Sequence, residues 1–201
     1  MQTIASKPAT TSAAPVLVLP GWKGSGPGHW QSRWEQLHGN TRVDQHDWDR
    51  PLRGDWTARL EEVLLDLPGP PAVLVAHSLG CLLVAAWASH SRNTSRVAGA
   101  LLVAPPDVST PTLQPVLASW ASLALQRLPF PSVVVASQDD PYGSLAHAGE
   151  LAQAWGAHWV DVGCAGHLNA DSGLGDWPEG HACLLKLLAL TDRRLAGSHS
   201  I

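Results

Sequence analysis

The stretch Ala76-His77-Ser78-Leu79-Gly80-Cys81 lies between two apolar runs. The run before it, residues 72–75, is short and wholly apolar, as expected for a strand that is buried on both faces of a sheet. The run after it, residues 82–87, is also apolar and predicts a buried helix. Ser78 therefore lies at the junction between a predicted buried strand and a predicted buried helix. If strands and helices also alternate in the rest of the chain, the fold is of the α/β class.

Strands and helices alternate on both sides of this stretch. The predicted strands are residues 16–19, 42–46, 72–76, 97–103, 132–136 and 158–162. The predicted helices are residues 29–37, 55–67, 79–90, 115–127, 144–155 and 178–190, the second with Asp55 as its N-cap. Most of these strands are wholly apolar, so both faces of the sheet should be covered. The pattern predicts an α/β fold, a three-layer sandwich whose mainly parallel sheet is flanked by helices.

The composition is that of a single folded domain. The chain has 201 residues, of which 45% are hydrophobic and 15% are charged. We expect one domain over residues 15–191, with flexible tails at residues 1–14 and 192–201. The net charge is −4 and there is no basic cluster, so a nucleic-acid partner is not expected.

The sequence also indicates a cellular compartment. The first 15 residues, MQTIASKPATTSAAP, lack the apolar core of a signal peptide. No apolar run approaches the length of about 18 residues that a transmembrane helix needs, so a membrane partner is not expected. The three cysteines form no CxxC pair, which favours a reducing environment. These features predict a cytoplasmic protein.

Ser78 has the setting of a nucleophile elbow, the G-x-S-x-G turn that raises a serine hydroxyl above a sheet. The residues two before and two after the serine must be small, because the strand and helix backbones pass close together there. Here they are Ala76 and Gly80. The backbone N–H of Leu79, at the start of the predicted helix, could donate to an oxyanion. The alternative is that Ser78 only caps the helix.

A matching acid and base follow Ser78 in the order that such enzymes use, acid before histidine. Asp139 and Asp140 follow the fifth predicted strand, and His167 follows the sixth. These positions are at the carboxyl edge of the sheet, where ligands bind in such folds. His167 would take the Ser78 proton and return it to the leaving group, and one of the two aspartates would orient the imidazole.

A second oxyanion donor is expected from the loop after the first strand. The backbone N–H of Trp22, directly after Pro20-Gly21, is the candidate. The alternative is an ordinary Pro-Gly turn that ends the strand.

Several motifs occur in a fixed order along the chain. They are L-P-G-W, H-W-Q-S-R-W, D-W, A-H-S-L-G, S-Q-D-D-P-Y, L-A-x-A-W-G-A, G-H-L-N-A and G-x-W-P-E-G. Over about residues 15–190 this set resembles the small α/β-hydrolase family of retinoblastoma-binding protein nine and the YdeN-like bacterial proteins. The resemblance implies a compact α/β-hydrolase fold, a serine nucleophile, and no metal or organic cofactor. It also implies that Asp140, directly before Pro141, is the acid, with Asp139 as its neighbour.

We consider three functions. The first is a serine hydrolase that cleaves a small or short-acyl ester through an acyl-enzyme, because no insertion long enough for a lid domain lies between elbow and acid. Its partner would be a small-molecule ester. The second is a protein-binding member of the same fold with little or no turnover. The third is a metal-dependent hydrolase, which the stretch His46-Asp47-Trp48-Asp49 could suggest. It is the least favoured because no second ligand cluster has metal spacing.

Overall fold

The computed structural model describes residues 14–197. In this part of the chain the strands are β1 (Val16–Leu19), β2 (Thr41–Arg42), β3 (Ala72–His77), β4 (Val97–Val103), β5 (Ser132–Ala136) and β6 (His158–Asp161). They form one sheet in the order β2-β1-β3-β4-β5-β6. Every neighbouring pair is parallel. The predicted parallel sheet is therefore confirmed.

Helices cover both faces of this sheet. They are α1 (Trp30–His38), α2 (Arg53–Asp66), α3 (Leu79–His90), α4 (Leu145–Trp155) and α5 (Pro178–Gly197). Buried side chains of α2, α3 and α4 belong to one hydrophobic cluster, whereas those of α1 and α5 belong to a second. Successive residues of β3 alternate between the two, with Leu74 in the first and Val75 in the second. This arrangement confirms the predicted three-layer sandwich.

The elements around the serine are the most deeply buried part of the fold. All six residues of β3 are buried, and so is α3 from Leu79 to Trp87. β3 lies between β1 and β4 inside the sheet. The wholly apolar composition of residues 72–75 and 82–87 follows from this position, because neither element has a face in contact with water.

The predicted helix at residues 115–127 is wrong. The structure has only a short 3-10 helix, Ala118–Trp120, within a series of turns. Trp120 is buried, and its Nε1 donates to the carbonyl of Pro51 at 2.7 Å. Apolar residues here are spaced as in a helix because successive turns bury them, not because a helix continues through the segment.

Two helix ends also differ from the prediction. Helix α2 begins at Arg53 with Leu52 as the N-cap, so Asp55 lies in the first turn, where its charge faces the positive end of the helix dipole. Helix α5 continues to Gly197, so residues 192–197 are helical and not part of a tail. The rest of the predicted tails, residues 1–13 and 198–201, lies outside the described residues.

The edge strand β2 is shorter than predicted, with two residues instead of five. Across residues 14–197, no helix combines the length and the apolar character that a membrane span requires.

Candidate active site

Ser78 is held in a strained turn between β3 and α3. Its backbone has φ 53° and ψ −122°, a conformation that non-glycine residues rarely adopt. Its N–H donates to the carbonyl of Val103 on β4 at 2.8 Å. The Ser78 side chain makes no capping hydrogen bond to α3. The Ser78 side chain therefore does not cap the helix, and the alternative interpretation of Ser78 as only a helix cap is wrong.

Two glycines make room for this turn. A Cβ atom added at Gly80 would lie 2.4 Å from the carbonyl oxygen of Leu19, closer than any real contact. A Cβ added at Gly21 would lie 2.8 Å from the Cβ of Ser78. The close approach of β1, β3 and α3 therefore depends on glycine at both positions. Ala76, at the first small position of the elbow, is fully buried.

The three residues predicted for catalysis lie together at the carboxyl ends of their strands. His167 Nε2 is 2.9 Å from Ser78 Oγ. His167 Nδ1 is 2.9 Å and 2.8 Å from the two carboxylate oxygens of Asp140. The Asp140 side chain is 3% exposed. Since a carboxylate only accepts hydrogen bonds, Nδ1 carries the proton, and Nε2 is left to accept the proton of the Ser78 hydroxyl.

Asp139 has a different set of contacts from Asp140. Its Oδ1 accepts a hydrogen bond from the Ser137 hydroxyl at 2.8 Å and another from the backbone N–H of Gly166 at 2.8 Å. Ser137 Oγ in turn accepts from the N–H of Ala165 at 2.8 Å. The bond from Ser137, followed by that from Gly166, lowers the pKa of Asp139. Asp139 therefore joins the acid loop to the loop that carries the histidine.

His77 also supports this loop, a role that sequence analysis did not assign. The ring is buried, and Nε2 donates to the carbonyl of His167 at 2.9 Å. Burial lowers the pKa of His77 well below its ordinary value, so the ring stays neutral. Trp30 on α1 adds a second anchor, because its Nε1 donates to the carbonyl of Leu168 at 2.8 Å. Only the folded sheet brings these segments together, so the sequence carried no local signal for them.

The two residues predicted to supply oxyanion donors, Trp22 and Leu79, line the same cavity as Ser78. Leu79 is the first residue of α3, so its N–H has no acceptor within the helix. The chain at Gly21-Trp22 passes beside the elbow, since a Cβ at Gly21 would lie 3.3 Å from the nitrogen of Leu79. The indole of Trp22 is anchored by a bond from Nε1 to the carbonyl of Asp49 at 3.0 Å. The oxyanion role of the two N–H groups stays a prediction.

A cavity of about 320 Å³ opens at Ser78 and His167. Its apolar and aromatic walls include Trp22, Pro106, Leu113, Leu117 and Tyr142. The ring of Tyr142 packs edge-on against His167, with 4.7 Å between the ring centres. The cavity therefore gives a small molecule access to the serine hydroxyl.

The comparison with protein families identifies the group to which the chain belongs. The family model described as Serine hydrolase matches residues 16–186. The chain belongs to the serine hydrolase family. This serine hydrolase is 27% identical over 172 residues to the protein named "Putative hydrolase YdeN" of Bacillus subtilis (strain 168), covering 81% of this chain and 90% of that one.

Solved structures similar to this serine hydrolase agree with the fold. A YdeN-like protein of Pectobacterium atrosepticum has a TM-score of 0.79 and 29% identity, covering 89% of this chain and 92% of that one. Mouse alpha/beta hydrolase domain-containing protein 10 has a TM-score of 0.69 and 13% identity, covering 92% of each chain. The second likeness concerns the fold alone. The α/β-hydrolase fold and the resemblance to YdeN-like serine hydrolases are therefore confirmed, and the protein is a hydrolase.

Proposed function

We propose that this serine hydrolase cleaves carboxylic esters with small or short acyl groups, through an acyl-enzyme formed on Ser78. The observation that carries the proposal is the unbroken chain of hydrogen bonds from Asp140 through His167 to Ser78 at the edge of an open cavity. The proposed partner is a small-molecule ester.

In the first half of the reaction, Ser78 Oγ attacks the ester carbonyl carbon while His167 Nε2 takes the hydroxyl proton. The carbonyl oxygen becomes an oxyanion, which the N–H groups of Leu79 and Trp22 stabilise. When the tetrahedral intermediate collapses, the bond to the alcohol oxygen breaks. The alcohol leaves with the proton from His167, and the acyl group remains bound to Ser78.

In the second half, water attacks the acyl carbon and gives its proton to His167. Collapse of this second intermediate breaks the bond to Ser78 Oγ, which regains the proton, and the carboxylic acid leaves. Asp140 keeps the histidine proton on Nδ1 and stabilises the imidazolium that forms in each half. The near-complete burial of the Asp140 side chain strengthens this electrostatic interaction.

The size and openness of the site support small substrates. A volume of about 320 Å³ is near the lower end of the range for ligand pockets, which is roughly 300–1,000 Å³. A binding protein with little turnover is the less favoured alternative, because a docking surface has no need of a serine hydrogen-bonded to a buried His–Asp pair.

The test is labelling with a fluorophosphonate probe, followed by intact mass and peptide mapping. We expect one adduct on Ser78 of the wild-type protein and none on the Ser78→Ala or His167→Ala variant. His158→Ala, which removes an exposed histidine on β6, is the matched control and should label like the wild type. Hydrolysis of p-nitrophenyl acetate, butyrate and octanoate should then decrease with chain length. A folded wild-type protein that neither labels nor hydrolyses any of these esters would contradict the proposal.

A further inference from the structure

The described residues that line the cavity at Ser78 include a positive charge and no negative one. Among the described residues that line it, Lys23 is the one with a permanent charge, and no aspartate or glutamate is present. The chain as a whole has a net charge of −4 and only three lysines. The cation that lines this cavity is therefore opposite in sign to the net charge of the protein.

The structure holds Lys23 in place without neutralising it. Its backbone adopts φ 68°, which is rare for a residue with a side chain, and its N–H donates to the carbonyl of Trp48 at 3.0 Å. Its ammonium lies 4.9 Å from the centre of the Trp22 ring, within the range of a cation–π contact. Over residues 14–197, no carboxylate lies within ion-pair distance of Lys23. The exposed Lys23 side chain therefore remains available to an anion.

His29 lines the same cavity and has a ring nitrogen without a hydrogen-bond partner in the described part of the chain. The residue is 4% exposed, and its Nδ1 accepts a hydrogen bond from the backbone N–H of Gln31 at 3.1 Å. This bond places the proton of the neutral ring on Nε2. Nε2 is buried and has no hydrogen-bond partner in the described part of the chain. Burial lowers the pKa of His29 to about 3, so the ring remains a neutral donor at physiological pH.

Two helix N-termini add positive potential to these donors. Helix α1 begins directly after His29, and helix α3 begins directly after Ser78, and both of these residues line the cavity. Each helix therefore has its positive end close to the cavity. A buried donor without an acceptor is unfavourable, and an oxygen of the substrate that reached it would satisfy it.

We propose that the preferred substrate carries a free carboxylate in addition to its ester bond, and that Lys23 and His29 bind this carboxylate. The inference rests on the ester hydrolysis proposed above and narrows its substrate class. The monoester of a short dicarboxylic acid has this chemistry on the acyl side. A carboxymethyl ester has it on the alcohol side.

Two matched pairs of substrates test the inference. Monoethyl succinate is compared with ethyl succinamate, and carboxymethyl acetate with carbamoylmethyl acetate. Within each pair the carboxylate is replaced by a neutral amide of nearly the same shape. For at least one pair, we expect wild-type kcat/KM to be about tenfold higher for the charged ester, as expected for a hydrogen bond to a charged group. Which pair shows the preference identifies the side of the ester that faces Lys23.

Variants of Lys23 test whether this residue causes the preference for the charged ester. Lys23→Gln should bring the ratio of kcat/KM within the pair close to one, mainly through KM, and Lys23→Glu should invert it. Lys186→Gln makes the same change of charge at an exposed position of α5 away from the cavity, and should keep the wild-type ratio. Raising the salt concentration should reduce the wild-type ratio, since screening weakens the attraction.

Variants of His29 test the second donor. His29→Phe should reduce the ratio several-fold, and His29→Gln, which keeps an N–H donor, should restore part of it. Melting temperatures of both variants show whether the fold is intact. If the two variants fold and both keep the wild-type ratio, His29 does not bind the carboxylate.

The outcomes separate this inference from the proposed function. A wild-type protein that hydrolyses the neutral esters as fast as the charged ones overturns the inference but leaves the ester hydrolysis standing. A preference that persists in Lys23→Gln also overturns it. If the protein hydrolyses no ester and its Ser78 does not label with the fluorophosphonate, both proposals fail.

Discussion

The two partners in the hydrogen bond between Ser78 and His167 are held in place by different kinds of contact. Ser78 lies in a turn shaped by the main chain, with its N–H bonded to Val103 on the neighbouring strand and with glycines packed on both sides. His167 lies in a loop after β6, and polar side chains from other segments hold it there. These are the Asp140 carboxylate, the buried ring of His77 and, through Gly166, the Asp139 carboxylate.

The serine and the histidine should therefore tolerate different changes in sequence and in pH. The serine end depends on space, so an added methyl group should damage it and a change of pH should not. The histidine end depends on donors and acceptors, so it should respond to pH and to changes that preserve shape but alter hydrogen bonding. Four predictions follow this contrast, in order of decreasing effect.

Asp140→Asn changes the histidine end without changing its shape. An amide at this position can donate to Nδ1 and stabilise the wrong tautomer, so kcat should fall by about ten-thousand-fold. Steady-state hydrolysis of p-nitrophenyl acetate measures this loss. Asp139→Asn is the matched control and should stay within a few-fold of the wild type, because its remaining amide oxygen can still accept both hydrogen bonds. Equal losses in the two variants would contradict the assignment of Asp140 as the acid.

Gly80→Ala tests the serine end. Its new Cβ would overlap the carbonyl of Leu19, so we expect a loss of unfolding free energy of about 1–3 kcal/mol together with lower activity. Urea denaturation measures the loss. Gly54→Ala is the control, because no atom lies within 4 Å of its added Cβ and it lies in helix α2, where alanine should stabilise by about 0.5–1 kcal/mol. If both variants are equally stable, the elbow is not sterically constrained.

Burial of the His77 ring should make the free energy of unfolding depend on pH. Its pKa in the folded state is below its ordinary value of 6.5, so the unfolded chain binds a proton more readily. As pH falls below that ordinary value, this group should lower the unfolding free energy by up to about 1.4 kcal/mol per pH unit, until the pKa of the folded state is reached.

His77→Gln should remove this contribution, while its side-chain N–H can still reach the carbonyl of His167. Urea denaturation at pH 7, 6, 5 and 4 should therefore give a shallower decline for His77→Gln than for the wild type. His158→Gln, at an exposed position of β6, should decline as the wild type does. If the unfolding free energy declines equally with falling pH in all three proteins, burial of His77 does not couple folding to proton binding.

The smallest effect is expected at Asp139. Asp139→Ala removes the bonds to Ser137 and Gly166, so the loop with His167 should become less well positioned and kcat should fall about tenfold. Asp139→Asn should restore most of this activity, because its amide oxygen can still accept both hydrogen bonds. The folded-state pKa of Asp139 is lowered, so its contribution to stability is present above the ordinary value of 3.8 and is lost as pH falls through the folded-state pKa. The difference in Tm between wild type and Asp139→Ala should therefore narrow at low pH.

The contrast between the two ends also explains what the sequence could predict. The strands Val97–Val103 and Ser132–Ala136 and the helix Leu79–His90 were predicted at their observed bounds, because continuous apolar runs mark buried elements. Ser78 was found from the same local signal. His167 was predicted because it follows the serine and the aspartates in the chain and comes after a predicted strand.

Other features depended on contacts between distant segments. The choice between Asp139 and Asp140 came from the family resemblance, because the two carboxylates are adjacent and differ only in what the folded loop places next to them. His77 reaches a carbonyl 90 positions away, which no local pattern indicates. The false helix at residues 115–127 has the same origin, since Trp120 is buried by a contact with Pro51 and not by a helix.

The parallel sheet has a consequence for how this protein acquires its activity. Ser78 and His167 are 89 positions apart, and each parallel strand pair between them is joined by a long crossover. Such non-local pairing makes folding slow, because long loops must close before the contacts they permit are gained. Recovery of activity in a refolding experiment should therefore lag behind the formation of secondary structure, because the site needs the ends of β3 and β6 in one assembled sheet.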